Sequence, residues 1–533
     1  MRVPRVLGWI AFVWAMGFVA FCLGAPLGAL LLRVFMSSGS HPEFVDLVGV
    51  WTVVQATVQQ AFWSVFFSVG LGFPLGLWVG TQVSCGSRTG RACEILLGLP
   101  YGVPTVVAGL TGVLWLGRSG ILAGLGFHSD WLYSLKAVIL AHVFFNAPWI
   151  ALAVAQARWR VAQDSDAQLE AARTLGASYG SRLRFVIWPS IRWPLASQSV
   201  QVFNLCTMSF ALVLLLGGGP PVDTLETAIY SHMRFSSLDV GGAAVFALAE
   251  LLINLVPWGL ILYFRGRESH PVLILRGNKP DRFKNRGSRA SQNLMSLGCI
   301  GACLVALLPY SALVWIFFKQ RYFNSDFASE IFRPLVLSLG LALGASVLVT
   351  TLSIAAVMVG ALTAKNHPRF QGILNLALAL PSGVSVLVLG LGFWLAYGRW
   401  LDPFDGSFLA MVVLQATLFF PLSFRMLWPL AEAVQLPLLE AALTLGASPG
   451  RAFWLVEWPR WRGPILSSAA VVAGASLGEV AAVSLFYSEK LIPLPLLLTR
   501  WMAQYRFDQA QGLAFLILIL SAGTIAMVKG RVS

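Results

Sequence analysis

Long apolar runs separated by short polar breaks set the pattern of this chain. Runs near the ~20 residues that cross a bilayer fall at about 7–32, 56–80, 93–116, 131–156, 197–216, 240–264, 293–318, 334–363, 371–397, 408–433, 465–487 and 508–528. They predict an all-α polytopic membrane protein with about twelve spanning helices. Pro100 and Pro104 interrupt the third run and Pro381 the ninth, so kinks are expected there. The first run follows a basic start, MRVPRV, but continues to about Leu32. That exceeds the apolar core of a signal peptide, and no clean small-residue cleavage site follows, so it reads as a retained first helix.

Composition agrees with the pattern. The 533 residues are 57% hydrophobic and 11% charged, against about 25% charged in a soluble domain. The net charge of +14 would serve nucleic acid only through a basic patch on a folded soluble surface, and the pattern leaves no room for one. Lys and Arg instead report orientation. Counted over alternate loops, one side holds 25 basic residues and the other 11. The richer side is expected in the cytoplasm, which places both termini there. The longest polar connector, 265–292, carries eight basic residues. It reads as a topology-setting linker, with contact to anionic membrane lipid as the alternative. It divides the chain into a first half, 1–264, and a second half, 293–533, with six predicted helices each. Six cysteines form no disulfide framework. Cys299 and Cys303 share a helix face without a neighbouring His or acid, so packing is expected there and no metal site.

Two of the more polar stretches are nearly the same. Residues 170–189 read EAARTLGASYGSRLRFVIWP and residues 440–459 read EAALTLGASPGRAFWLVEWP, identical at 12 of 20 positions. Each predicts a short helix, a break or close approach at Gly176 or Gly446, a polar turn, and a second helix ending at Pro189 or Pro459. LPYGV at 99–103 parallels LPSGV at 380–384, and FFNAP at 144–148 parallels FFPLS at 419–423. With an even number of helices in each half, the duplication is parallel, and a substrate path is expected between the halves. Two symmetric cytosolic blocks predict a partner with two-fold symmetry.

The spacing E-A-A-x3-G-x9 followed by an apolar-x-apolar-Pro resembles the signature of permease subunits of binding-protein-dependent ABC importers. Glu170, Ala171, Ala172, Gly176, Val186, Trp188 and Pro189 fit it, as do Glu440, Ala441, Ala442, Gly446, Val456, Trp458 and Pro459. Val stands for the usual Ile and Trp for the usual Leu. The resemblance implies a type I importer permease fold in a bacterial inner membrane. It implies that each block is a coupling helix docked on one of two copies of a separate ATPase, and that a periplasmic or lipid-anchored binding protein delivers a small molecule. The chain has no Gly-Lys dipeptide and hence no phosphate-cradling Walker loop. No catalytic residue, cofactor or metal is expected. Fused permeases carrying two such blocks resemble mainly thiamine and ferric-iron permeases. ILAHVFFNAPW at 139–149 and LLLGGGPPVDTLETAIY at 214–230 look closest to the thiamine (or thiamine pyrophosphate) permease, with ferric iron as the alternative.

Polar groups inside spans mark candidate pathways. His142 and Asn146 lie one helical turn apart, as do Glu250 and Asn254; Asn204, Arg425 and Glu479 complete the set. Glu250 and Glu479 suit a cationic thiazolium, though acids suit ferric iron too. The competing role for both one-turn pairs is hydrogen bonding between helices. A secondary transporter could share the six-plus-six repeat but would not need the paired blocks. A membrane enzyme would need a convergent catalytic cluster, and none is visible.

Overall fold

The computed structural model describes residues 13, 14, 16–37, 47–84, 87–98, 103–117, 120–126, 132–164, 166–217, 223–234, 239–265, 325–363, 380–400, 406–432 and 436–532, with a few isolated positions besides. Eight helices among them are long and apolar enough to cross a membrane, and Val386–Tyr397 is a shorter apolar helix. All but isolated positions of the expected span 293–318 lie outside the described residues, as do the linker after Arg265, Cys299 and Cys303.

The first half comprises α1 (Ala25–Ser37), α2 (Leu47–Ser84), α3 (Arg88–Gly98), α4 (Thr105–Leu116), α5 (Leu135–Asp164), α6 (Asp166–Thr174), α7 (Tyr179–Arg182), α8 (Trp188–Thr207), α9 (Ala211–Leu216), α10 (Leu225–Arg234) and α11 (Val240–Arg265). The second comprises α12 (Ser325–Thr363), α13 (Val386–Tyr397), α14 (Phe408–Glu432), α15 (Leu436–Thr444), α16 (Pro449–Ala452), α17 (Trp458–Ser476), α18 (Ala481–Ser484), α19 (Leu494–Ala503) and α20 (Phe507–Val532). The order repeats, so the duplication read from the blocks extends to the helices around them.

Three expected spans are broken rather than continuous. The run 93–116 splits, with α3 ending at Gly98 and α4 starting after Pro104, which lies in an extended conformation (ψ 136°). A proline has no N–H to continue a helix, so the expected kink is a full break. The runs 197–216 and 465–487 are also interrupted, at 208–210 and 477–480. These breaks lie about 270 residues apart, matching the spacing of the two blocks. Irregular backbone at membrane depth is tolerated only where protein buries it, and Phe210, Leu477 and Val480 at the breaks are buried.

Close packing of small residues joins the long helices. Gly72, Gly76 and Gly80 on α2 face Ala147, Ala151 and Ala155 on α5. The four-residue spacing on both helices lets the backbones approach, which dispersion and backbone contacts reward in lipid. The second half pairs α12 with α14, with Gly344 against Val412. The lipid side of the same helices is large and apolar: Trp51, Phe62 and Phe66 on α2, and Leu339, Leu343 and Val347 on α12, are exposed. Hydroxyls on the long helices cap the short ones. Thr57 Oγ1 accepts the Leu225 N–H of α10 at 3.0 Å, and Ser338 Oγ accepts the Leu494 N–H of α19 at 2.8 Å.

The halves interlock. Helix α1 packs on α13 of the second half, where a Cβ on Gly392 would meet the Pro26 carbonyl oxygen at 2.7 Å. The two matched loops cross as well. Pro104, just after LPYGV, abuts Gly478 in the second break, and Gly383 of LPSGV lies against the Trp258 ring of α11. Arg234 at the end of α10 donates to the carbonyls of Ser484, Leu485 and Tyr487 at 3.2, 3.0 and 3.0 Å.

Candidate functional site: paired blocks and a polar interior

Both blocks fold as helix, glycine turn, helix. Helix α6 ends at Thr174 and Gly176 adopts φ +73°; α15 ends at Thr444 and Gly446 adopts φ +87°. The Ala177 N–H reaches the Ala172 carbonyl at 2.9 Å, and the Ala447 N–H reaches that of Ala442 at 3.0 Å. This six-to-one bond over a left-handed glycine is a Schellman closure. It explains the glycines: a Cβ at either would meet nothing within 4 Å, so backbone angle and not crowding selects them. The hydroxyls of Ser178 and Ser448 then accept the N–H groups of Ser181 and Arg451 at 3.2 and 3.3 Å and start the second helix.

The second helices do not end at the prolines, contrary to the expectation from sequence. A π-helical turn, Leu183–Ile187 or Phe453–Glu457, carries each directly into α8 or α17, with Pro189 and Pro459 in the first turn of the new helix. The wider turn moves aside the carbonyl that a proline ring would strike, and a proline early in a helix forfeits no needed N–H. The blocks present exposed apolar groups: Leu175 is 85% and Leu445 88% exposed, and Phe185, Trp454 and Leu455 are exposed beside them. Glu170 is exposed on α6. Glu457, where the first block has Ile187, is buried and accepts the Trp461 indole N–H at 3.2 Å.

The interior polar residues fall into two groups. His142 and Asn146 on α5 tie helices together: His142 Nδ1 lies 3.1 Å from Ser64 Oγ on α2 and its Nε2 lies 2.8 Å from Ser209 Oγ in the first break, while Asn146 donates to Cys206 Sγ at 3.4 Å. This is the interhelical role that competed with a pathway role. Arg425 is exposed on α14. The second group lies where the halves meet. Asn204 donates to the Ser382 carbonyl across the interface at 3.2 Å, and Asn254 accepts from Thr207 at 2.7 Å. Glu250 on α11 is fully buried. Beside it stands Glu226 of α10, 1% exposed, whose Oε1 accepts the Ser385 hydroxyl at 2.6 Å. Glu479, in the second break, accepts the Ala481 and Ala482 N–H groups at 2.8 and 3.4 Å.

Residues 72–268 and 356–531 match the family described as binding-protein-dependent transport system inner membrane component. The chain belongs to this family. The permease is also similar over its full length to curated proteins: 29% identical to the thiamine transport system permease protein ThiP of Brucella abortus (strain 2308) over 516 residues, 95% of this chain and 92% of that one. It is 25% identical to ThiP of Escherichia coli (strain K12) over 506 residues, 92% of each. A sulfate transport system permease protein, CysT of Synechococcus elongatus, aligns at 26% over 93% of its own length but only 48% of this chain. A single permease unit thus corresponds to about half of this permease.

Sequence reasoning missed Glu226 and Ser385. Both lie outside the polar groups sought within uninterrupted spans, Glu226 in the stretch between two predicted helices and Ser385 just after a proline-bearing loop. The available signal was the apolar setting of Glu226 in DTLETAIY. Among the described residues no three His, Cys, Asp or Glu side chains gather to hold a metal ion.

Proposed function

We propose that this permease is the translocation subunit of a bacterial thiamine importer. A binding protein would deliver thiamine at the outer face, and a separate ATPase, present in two copies, would drive it inward. The reading is carried by the two leucine-tipped turns at Leu175 and Leu445, built alike and both exposed. Exposed leucines cost about 1.5–3 kcal/mol each of forgone burial, a cost that a docking partner recovers. In this reading Glu170, Ala171, Ala172 and Gly176, with Glu440, Ala441, Ala442 and Gly446, meet the two ATPase copies, and Pro189 and Pro459 pass the push into α8 and α17. Helices 1–264 and 293–533 form the two halves that rock against each other. Both termini and both blocks face the cytoplasm. Thiamine is supported by full-length similarity to proteins named for its transport; none of the similar proteins named above points to ferric iron.

The test is ATP-driven uptake in proteoliposomes that hold the permease, its ATPase and its binding protein, with labelled thiamine and labelled ferric iron in parallel. Thiamine alone is expected to accumulate. Leu175→Asp with Leu445→Asp is expected to abolish uptake and ATPase retention while the permease still inserts. Retention of the ATPase by that double variant would refute the docking assignment.

A further inference from the structure

We infer that Glu226, Glu250 and Glu479 form an intramembrane site for an organic cation at the seam between the halves. The inference rests on the thiamine reading and deepens it: the cation is the thiazolium ring. Four elements build the site. Glu226 comes from α10 and Glu250 from α11, in the first half; Ser385 caps α13 and Glu479 lies in the second break, in the second half. Glu226 lies close enough to both Glu250 and Glu479 for their charges to act on one another.

The carboxylates are under-satisfied in a way that structural acids are not. Neither oxygen of Glu250, nor Glu226 Oε2, accepts a well-formed hydrogen bond, although both residues are at least 99% buried; the polar groups nearest Glu250 are the other carboxyl, Ser385 and Asn254. The buried Asn254 Nδ2 faces Glu250 without closing a well-formed hydrogen bond. No basic side chain among the described residues pairs with any of the three acids. Arg234, on the same helix as Glu226, is committed to the carbonyls of Ser484, Leu485 and Tyr487. Burying unpaired carboxylates together is costly unless they take up protons or a positive charge joins them. Their spacing does not close on a metal ion, which favours a larger cation with spread charge. The site also spans the seam, so a bound cation would be gripped by groups from both halves and released as they rock apart.

The experiment measures equilibrium binding of labelled thiamine to the full-length permease in lipid nanodiscs, with an N-methylated thiazolium and its neutral thiazole parent as competitors. The thiazolium is expected to displace thiamine and the neutral parent to leave it bound. Glu226→Gln and Glu250→Gln are expected to weaken binding about tenfold or more and to erase that preference. Glu250→Asp, which keeps the charge, should retain the preference. The thiazolium should also raise the melting temperature of the native permease and not that of Glu250→Gln. Equal competition by the neutral thiazole, or native affinity in both Gln variants, would overturn the site. If both Gln variants still import thiamine at the native rate and KM, the site falls and the permease reading stands. If the thiazolium binds with the expected preference but the assembled importer moves no thiamine, the substrate reading falls and the cation site stands.

Discussion

The left-handed turn at Gly446 offers the sharpest test of how the blocks work. Because a Cβ there meets no atom within 4 Å, substitution adds no clash inside the chain. What it adds is the cost of holding an L-residue at φ +87°, roughly 1–2 kcal/mol for alanine, less for asparagine and more for a β-branched residue. The bond that depends on this angle is that from the Ala447 N–H to the Ala442 carbonyl, 3.0 Å. Since about 1.4 kcal/mol is a factor of ten in an equilibrium, Gly446→Ala should lower the ratio of closed to open turn about tenfold. Gly176, at φ +73°, should behave alike, and the two changes should add because the turns share no contact. The assay is the dissociation constant of the purified ATPase on permease in nanodiscs, with uptake measured in parallel. The expected order of weakening is Asn, then Ala, then Val, with insertion and melting temperature unchanged. Native ATPase affinity in Gly446→Val would refute the requirement for the turn. Equal loss in the Asn and Val variants would show that the partner needs a bare glycine surface and not the angle.

Three further outcomes follow from the packing. Gly76→Leu would drive a side chain into the Ala151 carbonyl and the Val154 Cβ and should destabilise the α2–α5 pair by about 1–3 kcal/mol or more; Gly70→Leu, with nothing within 4 Å, should leave the melting temperature in detergent unchanged. Arg234→Met would orphan three carbonyls of the opposite half and remove the cation 4.4 Å from the Tyr487 ring centre, lowering stability by about 1–3 kcal/mol; an unshifted thermal transition would count against the latch. Burial of Asp239 pushes its carboxyl up, but the Gly242 N–H and the neighbouring His232, 2.9 Å away, outweigh it and hold the group below the ordinary carboxylate range. A depressed carboxylate stabilises the fold above its unfolded value and loses that contribution as pH falls through the folded one. The melting-temperature gap between the native chain and Asp239→Ala should therefore be full near neutral pH and close on acidification below about pH 4; a gap independent of pH would refute the stabilised carboxylate.

Much of this protein is legible in local signals along the chain. Apolar length marks the membrane helices, since a bilayer demands about twenty residues from each. The two blocks are legible because an identical stretch repeats and because a left-handed turn admits few residues besides glycine. Pro100 and Pro104 signal a disturbance in the third run, though not its depth. The breaks at 208–210 and 477–480 carry no comparable mark, since no proline lies in either. The π-helical turns are likewise hidden: Pro189 and Pro459 read equally well as the end of one helix or the start of the next, and the choice depends on whether α8 and α17 are held in place by their neighbours.

By itself, the sequence determined that the chain lives in a membrane, that it is a duplicated permease, and where each half carries its helix–glycine–helix block. These are properties of segments, encoded in hydrophobic length, glycine placement and repetition. Tertiary structure decided how the halves interlock and which polar groups share a site. Glu226, Glu250, Ser385 and Glu479 are dispersed over more than 250 positions and belong to four elements of two halves. They meet only because Pro104 seats against Gly478 and the 380–384 loop seats on α8 and α11. Those contacts depend on shape and burial across the seam, and no stretch of sequence taken alone contains them.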